Sequence, residues 1–437
     1  MNSALQLIVI LFAIFVFVFL TVKGLGPIVS GLIAGGIVAL IATGGFTANM
    51  FGTFLNGMTS MFGAFFVLFS CGMAFGGTLS ACGASDRMGT TIVRALGQKN
   101  FIYAILIVSI LFGLTGAPPL ALMPALCFGI MKSANLPRYI AMTAVAGSTA
   151  FSLTSIPGTL GSGNVIVAGI LGTDVYSAPL LGIVASVIGF ILLALYLNHL
   201  INDARKRGIG YDPVEGNSVM GGEVRAEDDM PSFACSIIPI IVLLGGCAVL
   251  ILAFKLESLP AVFFSTIVSI LLLIILNRKY FHTNILRSIC DSVLGIQGNI
   301  VGAIAVCGFA AVISNTELYQ TVIGGLMGSS MSPYILVVVG TFVLSALCAD
   351  CIGGVASFSA TIGSTLVQSG VNAAVVHRLA NITSSVFDSM PHGGSIILAL
   401  TQFGYDHKKG YKYLVVSNIV IPFIYTVVAL ILSLIFY

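Results

Sequence analysis

Two carboxylates and one histidine stand inside apolar sequence, and they are the residues best suited to chemistry. Asp350 lies directly after an apolar run, and Asp388 precedes His392 by four positions. Ionisable groups within a membrane segment are costly, so by default they indicate function. Because a histidine and a desolvated carboxylate can both exchange protons near neutral pH, we predict that Asp388, His392 and Asp350 couple protons. The alternative is that Asp388 and His392 form a hydrogen-bonded pair that only fixes the local backbone.

Small polar residues interrupt four apolar stretches, and these breaks predict a binding site. Irregular backbone at membrane depth is tolerated only where it is buried in protein or lines a cavity. Helix N-termini at such breaks attract anions, so two facing breaks could hold a carboxylate without an arginine. The predicted substrate-binding residues are Ser152, Thr154, Ser155, Gly158, Thr159, Asn164, Ser384, Ser385, Ser389, His392, Gly393, Gly116 and Gly353. The alternative is that these residues only let helices pack closely.

Enzymatic readings of the same residues are weaker. Asp388 with Ser389 suggests a nucleophile and its base, but spacing alone does not establish a catalytic triad. Neither H-E-x-x-H nor G-x-x-x-x-G-K-[ST] occurs, so a metalloprotease and ATP-driven transport are unsupported. Cys348 and Cys351 form a lone C-x-x-C, which favours packing at a helix break over a redox or metal role. We expect no enzyme, cofactor or metal, and an intramembrane enzyme using Asp388 and Ser389 is the different-class alternative.

Composition identifies the elements that must position these residues. The chain has 437 residues, of which 58% are hydrophobic and only 8% charged, with a mean hydropathy of +1.10. Soluble domains carry about 25% charged residues, so this chain cannot cover a water-facing surface. A cytoplasmic enzyme, a nucleic-acid binder and a disordered scaffold are therefore excluded. The sequence predicts an all-α polytopic membrane protein.

The apolar runs divide into two halves. Ten crossing spans are predicted at 4–22, 27–43, 54–82, 101–131, 177–200, 234–254, 259–277, 291–315, 333–366 and 413–436. Two broken stretches, 138–172 and 373–405, are predicted as re-entrant helical hairpins, and 101–131 and 333–366 as broken transmembrane helices. A polar linker, 202–232, separates a first repeat (1–201) from a second (233–437).

An internal repeat with opposite orientation follows from this arrangement. Pro157 precedes Pro391 by the same interval at which Gly116 precedes Asp350. With the linker cytoplasmic, the cytoplasmic side holds 15 of the 18 basic residues, the exceptions being Lys132, Arg138 and Lys255. Inverted repeats with interrupted helices are typical of secondary transporters. We therefore expect a multi-pass protein of the cell inner (plasma) membrane with both termini outside.

The second broken stretch contains the run Asp388-Ser389-Met390-Pro391-His392-Gly393-Gly394-Ser395, continuing through Thr401, Gly404, His407 and Tyr411. This run resembles a motif of the gluconate permease (GntP) family. The first half agrees at Leu136-Pro137-Arg138-Tyr139, at 151–158, at Gly163-Asn164, at Leu171-Gly172-Thr173 and at Ala178-Pro179. It looks most like the β-hydroxybutyrate permease branch, whose motif reads approximately D-x-L-P-H-N-G-A-V. Met390 and the run Gly393-Gly394-Ser395 depart from that pattern.

The resemblance implies a proton-coupled importer of small organic anions in the ion-transporter superfamily. It also implies a homodimer in which a transport domain moves past a scaffold, as an elevator does. A short hydroxy-monocarboxylate such as 3-hydroxybutyrate is the expected substrate, since the setting of Phe151, Ile156 and Met390 is too apolar for a polyol. The alternatives are a gluconate or other sugar-acid:H+ symporter and a Na+-coupled carboxylate transporter.

Overall fold

The described part of the chain is helical throughout and contains no strand. A computed structural model describes residues 3–20, 23, 25–97, 100–117, 119–212, 225–282, 284–294, 297–327, 331–348, 350–391 and 393–437. Lipid offers the backbone no hydrogen-bond partners, so apolar segments satisfy their own N–H and C=O groups as helices.

The first half contains eleven α-helices among the described residues. They are α1 Ser3–Leu20, α2 Gly26–Ile37, α3 Phe46–Ala48, α4 Leu55–Ala81, α5 Ala84–Leu96, α6 Phe101–Leu114, α7 Pro119–Leu122, α8 Pro124–Ser133, α9 Tyr139–Ser152, α10 Ser162–Leu171 and α11 Pro179–Lys206. Short π-helical turns, Val38–Ala42 and Asn49–Phe54, extend α2 and precede α4.

The second half adds twelve α-helices among the described residues. They are α12 Phe233–Leu252, α13 Ser258–Asn277, α14 Ile285–Leu294, α15 Gln297–Ser314, α16 Glu317–Met327, α17 Pro333–Cys348, α18 Cys351–Phe358, α19 Ser364–Gln368, α20 Ala373–Phe387, α21 Gly394–Phe403, α22 His407–Val415 and α23 Ile421–Phe436. π-Helical turns, Ser359–Gly363 and Val416–Val420, join α18 to α19 and α22 to α23.

Several of these helices have membrane length. Within the described residues, five continuous helical stretches are long and apolar enough to cross a bilayer: Pro179–Lys206, Glu227–Leu252, Ser258–Tyr280, Cys351–Gln368 and His407–Phe436. Together with the shorter apolar helices, they make this a multi-pass membrane protein, as the composition predicts.

Helix boundaries recur at the spacing that the sequence suggests. Helix α9 begins at Tyr139 and α20 at Ala373. The interval between these two starts equals the interval between Pro157 and Pro391. The same interval separates Leu114, which ends α6, from Cys348, which ends α17. Helices α10 and α21, which follow the breaks at Pro157 and Pro391, both end at a glycine in the left-handed conformation, with φ of +64° and +69°. Helix boundaries in the two halves therefore recur at one interval.

One end of the helical bundle, here called the linker face, gathers the end of α11 and the start of α9. The backbone N–H of Arg138 donates to Asp212 Oδ1 at 2.8 Å, just past the end of α11. The Tyr139 ring stacks on Tyr413 with centroids 4.0 Å apart. The end at which α11 begins is here called the far face.

Segment 138–172 runs along α11 from the linker face to the far face. Gly147 packs against Leu193, and farther along Ser155 O lies against Gly182. At the far face, Thr173 Oγ1 hydrogen-bonds His377 Nδ1 at 2.6 Å. The sequence predicts a hairpin whose two ends lie together, and the structure differs from it.

Segment 373–405 runs the opposite way. It begins with α20 at the far face, near His377. It ends at the linker face, where the Tyr405 hydroxyl donates to Asp212 and accepts from the Tyr139 N–H at 3.0 Å. Both stretches predicted as hairpins therefore join opposite ends of the bundle.

Two stretches that the sequence predicts to cross, 101–131 and 333–366, instead fold back on themselves. In the second half, Gly340 packs against Phe358 and Gly354 against Ser345, so α17 and α18 are antiparallel about the break at Asp350. In the first half, Tyr103 near the start of α6 accepts from Asn198 at 3.0 Å, so α6 begins toward the linker face. Because α9 also begins at the linker face, α7 and α8 return the chain to the face at which α6 begins.

The linker is attached at two places on the linker face. Residues 207–212 lie against the start of α9, through Arg138 and Asp212. Residues 225–231 lie against other helices: Arg225 donates to Ala81 O at 2.6 Å and to Tyr280 O at 2.9 Å. The two parts of the linker therefore dock on different groups of helices.

Candidate functional site

The break before α18 presents a carboxylate at a helix N-terminus. Asp350 has an extended backbone, with φ −151° and ψ 127°, and its side chain caps the helix. Asp350 Oδ2 accepts from the Gly353 N–H at 2.6 Å. The positive end of the helix dipole stabilises a negative group in this position. Gly353 therefore serves as a backbone donor, although to Asp350 and not to an open space.

The break after α20 presents the second carboxylate. Asp388 directly follows this helix, and its Oδ1 accepts from Ser395 Oγ, on the first turn of α21, at 3.1 Å. The hydroxyl of Tyr411 donates to Ser389 O at 3.0 Å. Ser389 is buried, and its Oγ has no hydrogen-bond partner among the described residues. Asp388 is thus bonded to Ser395 and not to Ser389.

The two breaks meet at a group of three potential ligands. One ligand atom each from Asp350, Cys351 and Asp388 lies within 4.8 Å of the other two. Among the described residues, this is the group of His, Cys, Asp or Glu side chains that could hold a metal ion. Two carboxylates in a medium of low dielectric repel one another, so the group suits a proton or a small cation between them.

A small cavity adjoins this group. Its volume is about 30 Å³, enough for about one water molecule. Thr149, Thr154 and Asn418 line it together with Asp388 and Cys351. The two threonine hydroxyls donate to carbonyls of the preceding helical turn at 2.7 and 2.6 Å, and one N–H of the Asn418 amide donates to Ala146 O at 3.1 Å. The wall is completed by Leu120, Ala146, Ala150, Leu153, Ser395 and Ile396. The cavity is therefore bounded by α9 and its break, by the break after α20 and by the π-helical turn before α23.

A tyrosine connects the break after α9 with the end of α20. The hydroxyl of Tyr425 is 2.8 Å from Ser385 Oγ and also hydrogen-bonds Ser155. Tyr425 and Ser385 are fully buried. Ser155 and Ser385, both predicted to bind substrate, therefore lie together in a packed contact next to the site.

A buried cation ties the two crossing segments together at the far face. Arg378 is fully buried and donates to Val175 O at 2.6 Å, Ser177 O at 2.9 Å and Asn164 Oδ1 at 3.2 Å. Asn164 Oδ1 also hydrogen-bonds His377 Nε2 at 2.8 Å. Asn164, predicted to bind substrate, is therefore occupied in this network and does not line the cavity.

The remaining predicted residues lie in close backbone packing. Gly116 and Gly158 have φ of +76° and +80°, which favour glycine, and a Cβ on Gly116 would lie 2.7 Å from Leu160 O. Thr159 Oγ1 donates to Gly113 O at 3.4 Å, and Gly393 donates its N–H to a carbonyl of its own turn.

Two serines complete the predicted set. Ser384 donates to a carbonyl of its own helix, and Ser152 Oγ is buried with no partner among the described residues. Of the predicted set, Thr154 and Asp388 line the cavity, and His392 lies outside the described residues.

The sequence alone does not identify three residues of the cavity. Thr149 follows Ser148 and Asn418 follows Ser417, and the sequence does not show which member of each pair lines the cavity with Asp388. Asn418 lies in the π-helical turn Val416–Val420, a feature frequent at functional sites. The thiol of Cys351 joins the acids because it follows Asp350 at the N-terminus of α18.

Comparison with protein families places nearly the whole chain in one family. Residues 5–435 match the family described as GntP family permease. A transporter of Bacillus subtilis (strain 168) described as the uncharacterized transporter YxjC is 23% identical over 447 residues, covering 93% of this chain and 94% of its own. The Gnt-II system L-idonate transporter of Escherichia coli (strain K12) is 26% identical over 378 residues, covering 81% of this chain and 80% of its own.

Two solved membrane transporters share the fold. The YdaH transporter of Alcanivorax borkumensis superposes with a TM-score of 0.54 at 14% identity, over 96% of both chains. MtrF of Neisseria gonorrhoeae superposes with a TM-score of 0.54 at 14% identity, over 96% of this chain and 94% of its own. At this identity the likeness concerns the fold alone.

Proposed function

The chain belongs to the GntP family of permeases, and from this membership we propose that it is a secondary active transporter importing a small organic anion with protons. The observation that carries the proposal is the meeting of Asp350, Cys351 and Asp388 beside a cavity at the helix breaks. A carboxylate substrate needs donors, and we propose that Asn418 supplies its second amide N–H and that the hydroxyls of Thr149 and Thr154 turn to the substrate from the helix carbonyls to which they now donate. A proton needs an acceptor, which the acid pair supplies.

The proposed substrate is a short hydroxy-monocarboxylate such as 3-hydroxybutyrate. The cavity of about 30 Å³ must open to admit either anion, and the largely apolar surface of its lining favours the shorter and less hydroxylated one. Once the two hydroxyls turn from their helix carbonyls, Thr149, Thr154 and Asn418 provide donors for one carboxylate and one hydroxyl. The β-hydroxybutyrate branch of the family is the corresponding finer assignment.

One observation favours a second candidate, a sugar-acid:H+ symporter. The relative from Escherichia coli is named as an L-idonate transporter and matches 81% of this chain. A sugar acid would use the same carboxylate donors but would need further hydrogen-bonding groups for its hydroxyls. Paired uptake of labelled 3-hydroxybutyrate and L-idonate by one preparation distinguishes the two candidates.

The decisive experiment is uptake into proteoliposomes of the purified chain. We expect 3-hydroxybutyrate to accumulate when the lumen is alkaline relative to the bath, and only to equilibrate when the two pH values are equal. If accumulation is independent of the pH difference but requires sodium, the coupling ion at the acid pair is Na+ and not a proton. Uptake of neither anion under any gradient would overturn the proposal.

We further propose that the linker face is cytoplasmic and that the two halves are inverted repeats. In the arrangement that we propose, 101–133 and 333–368 are re-entrant and 138–172 and 373–405 cross. Lys132 and Arg138 then join the cytoplasmic side and Arg378 leaves it. The split of the 18 basic residues becomes 16 to 2, a stronger bias than the sequence alone gives. Labelling of a cysteine at position 132 from the cytoplasmic side tests it.

The elevator motion and the homodimer are proposed on the same basis. The re-entrant and crossing segments pack around the site as one group, while α1–α5 and α12–α16 form the natural scaffold. Crosslinking in native membranes tests the dimer. An intramembrane enzyme using Asp388 and Ser389 is disfavoured by the bond from Asp388 to Ser395. A Ser389→Ala protein that still transports would dispose of it.

A further inference from the structure

A cleft opens on the linker face between α5 and α8, away from the site described above. Its volume is about 380 Å³, within the range of about 300–1,000 Å³ typical of ligand pockets. Val93, Leu126 and Ile130 form apolar walls, and Arg94 and Glu227 stand at its polar edge. The cleft therefore combines an apolar slot with one cation.

The position of α5 places this cleft at a membrane surface. The helix has 13 residues, about 20 Å, which is too short to cross a hydrocarbon core of about 30 Å. It joins the end of α4 to the start of α6, and both lie toward the linker face. One side of α5 is buried at Met88, whereas Arg94 on its last turn is exposed. Short amphipathic helices of this kind lie in the interface between headgroups and acyl chains.

The charge at the cleft is only weakly satisfied within the protein. Arg94 pairs with Glu227 of the linker, and their side chains are 68% and 57% exposed. Exposed ion pairs of this kind contribute little to stability, so a competing anion can replace the carboxylate. Arg87, by contrast, is committed to backbone carbonyls of the linker, including Pro231 O at 2.6 Å. Arg94 is therefore the cation that remains exchangeable.

We propose that this cleft binds an anionic phospholipid, with its phosphate on Arg94 and an acyl chain against Val93, Leu126 and Ile130. Glu227 occupies the phosphate position when no lipid is bound. A soluble anion would gain nothing from the apolar walls, whereas a lipid uses both parts of the cleft. Lys132 is exposed at the end of α8 and adds positive charge to the linker face outside the cleft. With the linker face cytoplasmic, as proposed above, the anionic lipids of that leaflet attract basic groups in this position.

Native mass spectrometry of the purified full chain, titrated with phosphatidylglycerol and separately with phosphatidylcholine, tests the proposal. Wild type should bind phosphatidylglycerol preferentially. Arg94→Gln should weaken that binding about fivefold, the effect expected of one arginine at an anionic surface. Glu227→Gln should strengthen it, because the competing carboxylate is removed. Val93→Trp should weaken binding of both lipids by filling the slot while keeping the charge.

Arg287→Gln is the matched control, since Arg287 is 83% exposed on the linker-face helix α14 and does not line the cleft. It should leave lipid binding unchanged. Equal losses in Arg94→Gln and Arg287→Gln would show that net surface charge alone attracts the lipid. Unchanged binding in Arg94→Gln, or weakened binding in Glu227→Gln, would equally overturn the proposal. Thermal unfolding of each variant confirms that the compared proteins are folded.

Discussion

Carboxylate oxygens of Asp350 and Asp388 lie within 4.8 Å of each other although they come from different helix breaks. Asp350 is held by the Gly353 N–H of its own break, whereas Asp388 accepts from Ser395 Oγ and also hydrogen-bonds Cys351 of the other break. Any movement of one break relative to the other changes the distance between the acids. Protonation of the pair and the conformation of the breaks are thereby coupled in one place.

Asp388→Asn should abolish proton-driven accumulation while preserving exchange of substrate across the membrane. An amide keeps the shape and the bond with Ser395 but cannot carry the exchanged proton. Accumulation and counterflow are measured in the same proteoliposomes. Asp228→Asn, an exposed acid-to-amide change in the linker, is the control and should accumulate normally. Accumulation retained by Asp388→Asn would refute the assigned role.

Thr154→Val should raise the KM for the anion about fivefold with little change in stability. Thr154 lines the cavity, and the proposal has its hydroxyl turn from Ala150 O to the bound anion; losing that hydrogen bond costs about 1 kcal/mol or more. Thr143→Val is the matched control, because both hydroxyls donate to a carbonyl four residues earlier, at 2.6 and 2.7 Å, but Thr143 does not line the cavity. If both variants raise KM equally, the effect comes from the helix and not from the site.

Cys351 should be the thiol through which a small thiol reagent blocks transport. Cys351 is half-buried and lines the cavity, whereas Cys290 is exposed on α14. In a Cys290→Ser background, a methanethiosulfonate reagent should inhibit uptake, and a saturating carboxylate substrate should slow that inhibition. Adding Cys351→Ser should remove the sensitivity. Undiminished inhibition of the double variant would place the reactive thiol elsewhere.

Arg378→Lys should destabilise the protein while leaving substrate protection intact. One ammonium nitrogen cannot reproduce the forked bonds to Val175, Ser177 and Asn164, so buried carbonyls lose their donor. The expected loss is about 2 kcal/mol, visible as a lower temperature of thermal unfolding in detergent. The exposed Arg287→Lys is the control. A full loss of ligand-induced stabilisation would instead make Arg378 part of the binding site.

The sequence predicts the helices, their breaks and the two acids, because each is a local feature of apolar runs and their interruptions. It does not predict which broken stretch folds back. Both kinds of stretch read as helix, break and helix, and the difference lies in long-range contacts such as Arg138 with Asp212 and Gly354 with Ser345. Asn164 shows the same limit, since its position at a break suggests binding but its amide is occupied by His377 and Arg378.

Because the linker is attached at two places, the distance between these attachments can measure a movement of one group of helices past the other. Asp212 is held against Arg138 at the start of one crossing segment, and Arg225 is held against Ala81 at the end of α4. If transport carries the crossing segments past the scaffold, positions 212 and 225 travel with different bodies. Fluorophores on the exposed neighbouring positions 209 and 226, which leave both attachments in place, would then measure the distance moved during turnover without a label near the substrate.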